Sequence, residues 1–335
     1  MLRILVSGVA GFIGSNLTQA LLEKGYAVVG VDNLSQGDLL NMAAFREHPH
    51  FTFVQEDIRN EAAMIQCAEG CTALVHLAAY KIPRYSDALD TLHINTIGTE
   101  SFLKAAVEHK AKMVAASTSD VYGKNPQVPF DENSNLVVGN PDVRRWAYAI
   151  SKMYEEQLMF AYHERYGIDI VPLRFFGGYG PNQNLTWWGG PQSVFINMAL
   201  DNEEIPVHGD GQQTRSFTYV SDHVNGIIRA VERPEANNKV FNIGANREIT
   251  IEGLAHLIWG LVRGPEETAR IRFIPYETFG KYEDVQRRIP DIARARELLG
   301  FEPQVELEEG LRRTIRWQVE RRRQLGISTP DPVNA

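Results

Sequence analysis

Ile4-Leu5-Val6-Ser7-Gly8-Val9-Ala10-Gly11-Phe12-Ile13-Gly14 is the stretch that decides the fold. An apolar strand pattern runs into three glycines, and a helical, amphipathic pattern follows over residues 13–24. Glycine at these spacings permits a tight turn, close approach of backbone to a pyrophosphate, and tight packing of helix on strand. Free N–H groups at the helix start suit phosphate oxygens. A plain glycine turn is the alternative, but the preceding strand and following helix are the context a dinucleotide site requires.

Working outward, further short β-rich runs occur at residues 26–31, 51–54, 73–77, 112–116 and 169–174, after the first at 2–7. Helical patterns lie between them, as at residues 95–109. This alternation predicts an α/β Rossmann fold, a doubly wound parallel sheet with helices on both faces. Nearly continuous apolar strands such as Ala27-Val28-Val29 fit a sheet covered on both sides. Asp32 ends the second strand, where a carboxylate accepts the adenosine ribose hydroxyls and repels a 2′-phosphate. With Asn33 beside it, this predicts NAD rather than NADP. Asp57-Ile58 follows the third strand and either frames the adenine or caps a helix.

After residue 174 the pattern changes. Glycine-rich loops are followed by helical patterns at 192–201, 221–232 and 251–262 and by isolated strands at 206–208 and 240–243. A charged helical tail covers 305–323. We expect a dinucleotide-binding domain over residues 1–174. A smaller mixed α/β part, 175–330, should face the substrate, with some segments returning to the first domain.

The chain has 335 residues, 44% hydrophobic and 23% charged, with a formal net charge of −8. That balance argues against nucleic-acid or anionic-membrane partners. No run reaches the ~18 apolar residues a membrane span needs. The start, Met1-Leu2-Arg3, leads directly into a strand and lacks a leader pattern, so the expected location is cytoplasmic. Cys67 and Cys71 share one face of a helix expected over residues 61–70 and read as structural thiols. The nine histidines show no metal-binding spacing, and no metal is expected.

Tyr148 and Lys152 are one helical turn apart and so share a face. A phenol titrates near ~10, too high for a base at neutral pH. An adjacent ammonium favours the phenolate. Tyr148 can then take a proton from a sugar or alcohol hydroxyl while a nicotinamide takes the hydride.

These segments together resemble the extended short-chain dehydrogenase/reductases, in the branch of nucleotide-sugar epimerases, dehydratases and decarboxylases. The resemblance spans nearly the whole chain. It rests on Gly8 to Gly14, Val31-Asp32-Asn33-Leu34, His76-Leu77-Ala78-Ala79, Asn95, Ser117-Thr118-Ser119-Asp120-Val121-Tyr122-Gly123, and Tyr148 with Lys152. It continues through Leu173-Arg174-Phe175-Phe176, Gly209-Asp210-Gly211-Gln212-Gln213-Thr214-Arg215-Ser216-Phe217-Thr218-Tyr219-Val220 and Asp222. It implies tightly held NAD contacted by Gly8, Gly11, Phe12, Ile13, Gly14, Asp32, Asn33, Asp57, Ile58, Leu77, Ala78, Ala79, Asn95, Tyr148 and Lys152. It further implies a nucleoside diphosphate sugar, UDP-linked by family frequency, with Arg215 on its diphosphate. Hydride would leave sugar C4, Tyr148 would take the 4-hydroxyl proton, and Thr118 would hydrogen-bond near that hydroxyl. A homodimer built on the helices at 95–109 and 148–166 is the family's usual assembly.

The fate of the 4-keto sugar depends on the neighbours of Thr118. Ser119 and Asp120 depart from the Ser or Ala usual in 4-epimerases and from the Thr-Asp-Glu common in 4,6-dehydratases. They are similar to the Thr-Ser-Glu of UDP-glucuronate decarboxylases, with the acid one methylene shorter. Asp120 would deprotonate a carbon beside the ketone or position a carboxylate-bearing substrate. Arg145-Trp146-Ala147-Tyr148 and the segment from Tyr282 to Ile292 resemble the same subset, placing Arg288 where an arginine is thought to act in decarboxylation. Arg287 and Arg288 read equally as diphosphate ligands. Gly177 replaces an asparagine that touches the diphosphate in many relatives. Trp187 and Trp188, in an unmatched loop, would stack on base or sugar, or simply pack. The expected reaction is decarboxylation of a UDP-hexuronate such as UDP-glucuronate. A 4-epimerase comes next, then a 4,6-dehydratase. A non-catalytic NAD sensor is the remotest reading, because Thr118, Tyr148 and Lys152 are all present.

Overall fold

In the computed structural model, residues 2–81 and 87–335 are described. The strands in chain order are β1 (Arg3–Ser7), β2 (Ala27–Asp32), β3 (Phe51–Gln55), β4 (Ala73–His76), β5 (Lys112–Thr118), β6 (Ile170–Phe175) and β7 (Gly178–Tyr179). They continue as β8 (Ile205–His208), β9 (Thr214–Ser216), β10 (Thr218–Tyr219), β11 (Phe241–Ile243), β12 (Glu248–Thr250), β13 (Ile271–Ile274) and β14 (Arg287–Arg288). The α-helices are α1 (Phe12–Glu23), α2 (Glu61–Cys67), α3 (Ala88–His109), α4 (Trp146–Tyr166), α5 (Pro191–Leu200), α6 (Val220–Glu232), α7 (Ile251–Arg263) and α8 (Leu307–Gln324).

Seven strands form one parallel sheet in the order β11-β6-β5-β4-β1-β2-β3. Successive side chains on each strand enter opposite cores, as the pleat requires. Ile4, Val6, Val28, Val75, Val114 and Val171 join one apolar cluster with Leu17 and Leu21 of α1 and Ile227 of α6. Leu5, Val29, Leu74, Met113 and Ile170 join the other with Met64 of α2, Phe102 and Leu103 of α3 and Met159 of α4. Burial on both faces explains why apolar residues run consecutively along these strands, as in Ile4-Leu5-Val6. The strand order reverses between β1 and β4, which opens a crevice at the carboxyl ends of the strands, where ligands bind in such sheets.

The segment after residue 175 builds three small sheets, β10-β7, β12-β9-β14 and β13-β8. It also returns to the main sheet, since Phe241 to Ile243 pair with Leu173 to Phe175. α2 stops at Cys67, and Cys71 lies beyond it with its thiol on the Cys67 carbonyl. Burial pushes the Cys71 thiol up to about 11. Among the described residues no helix is long and apolar enough to cross a membrane, and no acid, histidine or cysteine cluster could hold a metal ion.

Candidate active site

A cavity of about 630 Å³ opens at the strand-order reversal. One end is the glycine turn. Gly8 has φ +71°, and a Cβ on it would meet Ala78 N at 3.0 Å. A Cβ on Gly14 would lie 2.0 Å from the Gly8 carbonyl oxygen, so only glycine lets α1 begin this close to β1. The amides of Phe12, Ile13 and Gly14 form the first helical turn, which has no internal acceptors for them and contains no acid. Asp32 fixes the turn from β2, its carboxylate oxygens accepting from Ala10 N at 3.0 Å and Leu34 N at 2.8 Å. Burial pushes its carboxyl up against those bonds. Gly11, Asn33, Ile58, Leu77, Ala78 and Ala79 also line this end. Asp57 stands behind it, gripping Arg59 and Asn33, and is lowered to about 2, chiefly by the Arg59 hydrogen bond.

The other end carries Thr118, Ser119, Asp120, Tyr148, Gly177, Trp188 and Arg288. β5 delivers Thr118, whose hydroxyl oxygen accepts from Asp120 N and so starts a short 3-10 turn, Ser119–Tyr122. Tyr148, on the first turn of α4, stands beside Thr118, which acts to lower its phenol. Lys152, expected to favour the Tyr148 phenolate, is engaged elsewhere in the structure. Lys152 Nζ donates to Glu155 at 2.8 Å, in a buried pair that neutralises its charge. Burial, then Asp120 and Glu155, push the phenol well above its ordinary range. Glu155 also accepts from Thr99, which meets His76, which meets Ser7 behind the glycine turn. A hydrogen-bonded chain thus links both ends of the cavity beneath its floor.

The cations form a cluster. Asp120 Oδ1 pairs with Arg288 Nη2 at 2.7 Å and Arg145 Nη2 at 3.2 Å. Asp284 Oδ1 pairs with Arg145 Nη1 at 2.9 Å and Arg215 Nη2 at 3.0 Å. Despite burial, Arg288, Arg145 and Arg215 hold the Asp120 carboxyl below its usual range. Burial and the neighbouring Arg288 and Arg145 charges push Arg215 down to about 10. Arg288 Nε is buried with no hydrogen-bond partner among the described residues. Arg287 and Arg288 form a two-residue strand, so they face opposite ways. Arg287 is exposed and clasps Glu248, away from the cavity. Arg145 and Arg215 form the layer behind Asp120 and outside the described cavity lining.

A model of the GDP-mannose 4,6-dehydratase family matches residues 5–314. The chain belongs to this family. UDP-N-acetyl-alpha-D-glucosaminuronate decarboxylase of Bacillus cytotoxicus is 33% identical over 321 residues, covering 94% of this chain and 97% of that protein. UDP-glucuronic acid decarboxylase 3 of Arabidopsis thaliana is 37% identical over 313 residues, covering 92% and 87%. Among solved structures, UDP-glucuronic acid 4-epimerase from Bacillus cereus, in complex with UDP-glucuronic acid and NAD, superposes with a TM-score of 0.85 at 29% identity. It covers 97% of this chain and 100% of its own.

Within this family member, several expected residues are placed differently from one another. Trp188 lines the cavity, its ring edge-on to Tyr80 at 5.1 Å, whereas Trp187 stacks on His208 at 4.5 Å and packs against the core. Asn95 lies outside the described lining. Its amide clamps the Tyr80 N–H and carbonyl and donates to Ser151. At Gly177 a Cβ would meet the Ser216 carbonyl at 2.5 Å, so an asparagine does not fit this loop. The sequence reading missed Lys81, and it missed Trp317, Arg321 and Leu325 at the C-terminal end, all of which line the cavity. Arg321 is held there by Asp38 and Asn41.

Proposed function

We propose that this protein is an NAD-dependent UDP-hexuronate decarboxylase that acts on UDP-glucuronate through a 4-keto sugar. The observation that carries the reading is the surplus of buried positive charge at the sugar end. Among the described residues, Arg145, Arg215 and Arg288 share only the carboxylates of Asp120 and Asp284, and one guanidinium nitrogen of Arg288 is unmatched. A diphosphate and a carboxylate are the anions that such a site suits.

The residues present fit NAD. The glycine turn has no room for side chains, and the first amides of α1 are open to phosphate. Each Asp32 oxygen accepts one backbone N–H and keeps a lone pair for a ribose hydroxyl. Bound NAD supplies the acceptor, and later the donor, of the hydride at sugar C4. Tyr148 Oη takes the 4-hydroxyl proton in its phenolate form, which the positive charge of a bound nicotinamide would favour against the burial that raises it. With C4 a ketone, the C5–C6 bond breaks, carbon dioxide leaves, and its electron pair remains on C5 as the enolate of that ketone. Arg288 orients the departing carboxylate, and Ser119 lies beside it on the cavity wall. C5 then takes a proton from water, and Tyr148 returns its own to the C4 oxygen as the alcohol is restored. Asp120, kept ionised by its arginines, acts as the counter-ion that holds Arg288 rather than as a proton carrier.

Exposed Leu89 and Ile97 on α3 with Ile150 and Tyr154 on α4 support a second copy of the chain covering this face, giving a cytoplasmic homodimer. Incubation of the purified protein with UDP-glucuronate, UDP-glucose and UDP-N-acetylglucosamine, followed by product masses, tests the reaction. Loss of carbon dioxide from UDP-glucuronate is expected. Loss of water, or an isomer of unchanged mass, would replace decarboxylation by dehydration or epimerisation.

A further inference from the structure

Lys81 is a cation that the mechanism above does not use. It lines the cavity together with Thr118, Asp120, Tyr148 and Arg288, at the sugar end. Its position is set from the preceding residue. The Tyr80 N–H donates to Asn95 Oδ1 at 2.7 Å, and the Tyr80 carbonyl accepts from Asn95 Nδ2 at 3.1 Å. The Tyr80 ring rests against Trp188. The backbone leading into Lys81 is therefore pinned to α3, and through Ser151 to α4.

Its ammonium has no hydrogen-bond or ion-pair partner among the described residues. A buried charge without a partner is unfavourable unless something arrives to neutralise it. Burial pushes Lys81 down to about 8, and the one charge acting against that is Asp120. Asp120 is already engaged by Arg288 and Arg145. Arg215, by contrast, pairs with Asp284, which it shares with Arg145. So, among the described residues, the cavity lining holds an unpaired ammonium together with Arg288, whose buried Nε is also without a partner. A neutral hexose would leave both unmatched. A hexuronate brings one carboxylate, with oxygens enough for two donors.

We propose that Lys81 is the residue that selects a uronate, its ammonium receiving the C6 carboxylate of the bound sugar jointly with the Arg288 guanidinium. The proposal rests on the hexuronate reading above and adds to it the group that discriminates the acid from the neutral sugar. Lysine suits this task, because a compact point charge binds the carboxylate without demanding the in-plane geometry that a guanidinium imposes. The carboxylate can then stand out of the plane of the C4 ketone, which cleavage of the C5–C6 bond requires.

The test measures binding of UDP-glucuronate and UDP-glucose to the NAD-loaded protein by calorimetry, for wild type, Lys81→Met and Lys81→Arg. Wild type should prefer UDP-glucuronate. Lys81→Met should lose about tenfold or more in affinity for UDP-glucuronate. Its affinity for UDP-glucose, its NAD content and its melting temperature should stay as in wild type. Lys81→Arg should recover part of the preference. If Lys81→Met keeps the wild-type preference, or loses both ligands equally, the assignment of Lys81 is overturned while the hexuronate reading stands. If wild type itself shows no preference for the acid, the hexuronate reading fails and Lys81 falls with it.

Discussion

Asp120→Asn separates two roles for the acid that follows Thr118 and Ser119. As a proton carrier, its carboxyl would have to titrate near the working pH. The structure argues otherwise, because three arginines hold it below the ordinary carboxylate range. As a counter-ion it makes two charged contacts, at 2.7 Å to Arg288 and 3.2 Å to Arg145. Charged hydrogen bonds contribute about 1.5–3 kcal/mol each, and an asparagine oxygen recovers part of that. The side chain is about one-quarter exposed, which reduces the penalty further. A net loss of roughly 2–4 kcal/mol follows. For a chain of this size that is a fall in melting temperature of roughly 3–6 °C. Arg288 would then be left without its acid, so it should bind the substrate carboxylate more tightly but less well oriented. The expected kinetics are a lower kcat with an unchanged or lower KM for UDP-glucuronate. The assay is the pH profile of product formation, alongside a thermal melt of the NAD-loaded protein. If wild type shows an ionisation near neutrality that disappears in Asp120→Asn, with the melting temperature unmoved, the counter-ion argument is refuted.

Two further outcomes follow from buried groups. Tyr148→Phe removes the proton acceptor at the C4 hydroxyl, and turnover of UDP-glucuronate should fall by about 10²–10⁴ with NAD content retained; activity within tenfold of wild type would exclude Tyr148 as that acceptor. His76 is held down to about 3 by burial, then by Lys152, from an unfolded value of 6.5. Its folded pKa is depressed, so the unfolded chain takes up a proton that the folded one refuses, and stability is lost as pH falls from about 6.5 toward about 3, at up to ~1.4 kcal/mol per pH unit. Urea midpoints measured down that range should fall less steeply in His76→Gln than in wild type, and parallel curves would show that His76 is not the buried neutral group described.

The sheet was legible in the sequence because each strand is short, apolar and followed by its own helix. Five of the six predicted strands in the first half both begin and end within a residue of their observed limits, and β5 runs two residues further. The longest miss was the start of α3, at Ala88 rather than 95. Its first turns carry an Asp87 cap and an exposed Leu89 but few buried residues, so apolar periodicity has little to mark there. The glycine turn was legible for a different reason. Contacts such as Gly14 on the Gly8 carbonyl are local, so spacing alone encodes them.

The site itself was only half legible, and the line falls between local and non-local geometry. Strand alternation would have separated Arg287 from Arg288 had a two-residue strand been visible, but β14 exists only because it pairs with β9. The Lys152–Glu155 pair was within reach of the sequence, three residues apart on one helix, and it takes up the lysine charge expected to act on Tyr148, whose hydroxyl burial first of all pushes up. Lys81 had no such local signal. It is placed by Asn95, fifteen residues on by the Tyr80–Asn95 hydrogen bonds, and its meaning depends on which carboxylate is already spent on Arg288. A cation's role in such a cavity is set by the charges left over once every other pair has formed. That count can be made only where side chains from β5, α4, β14 and the Tyr80 loop meet.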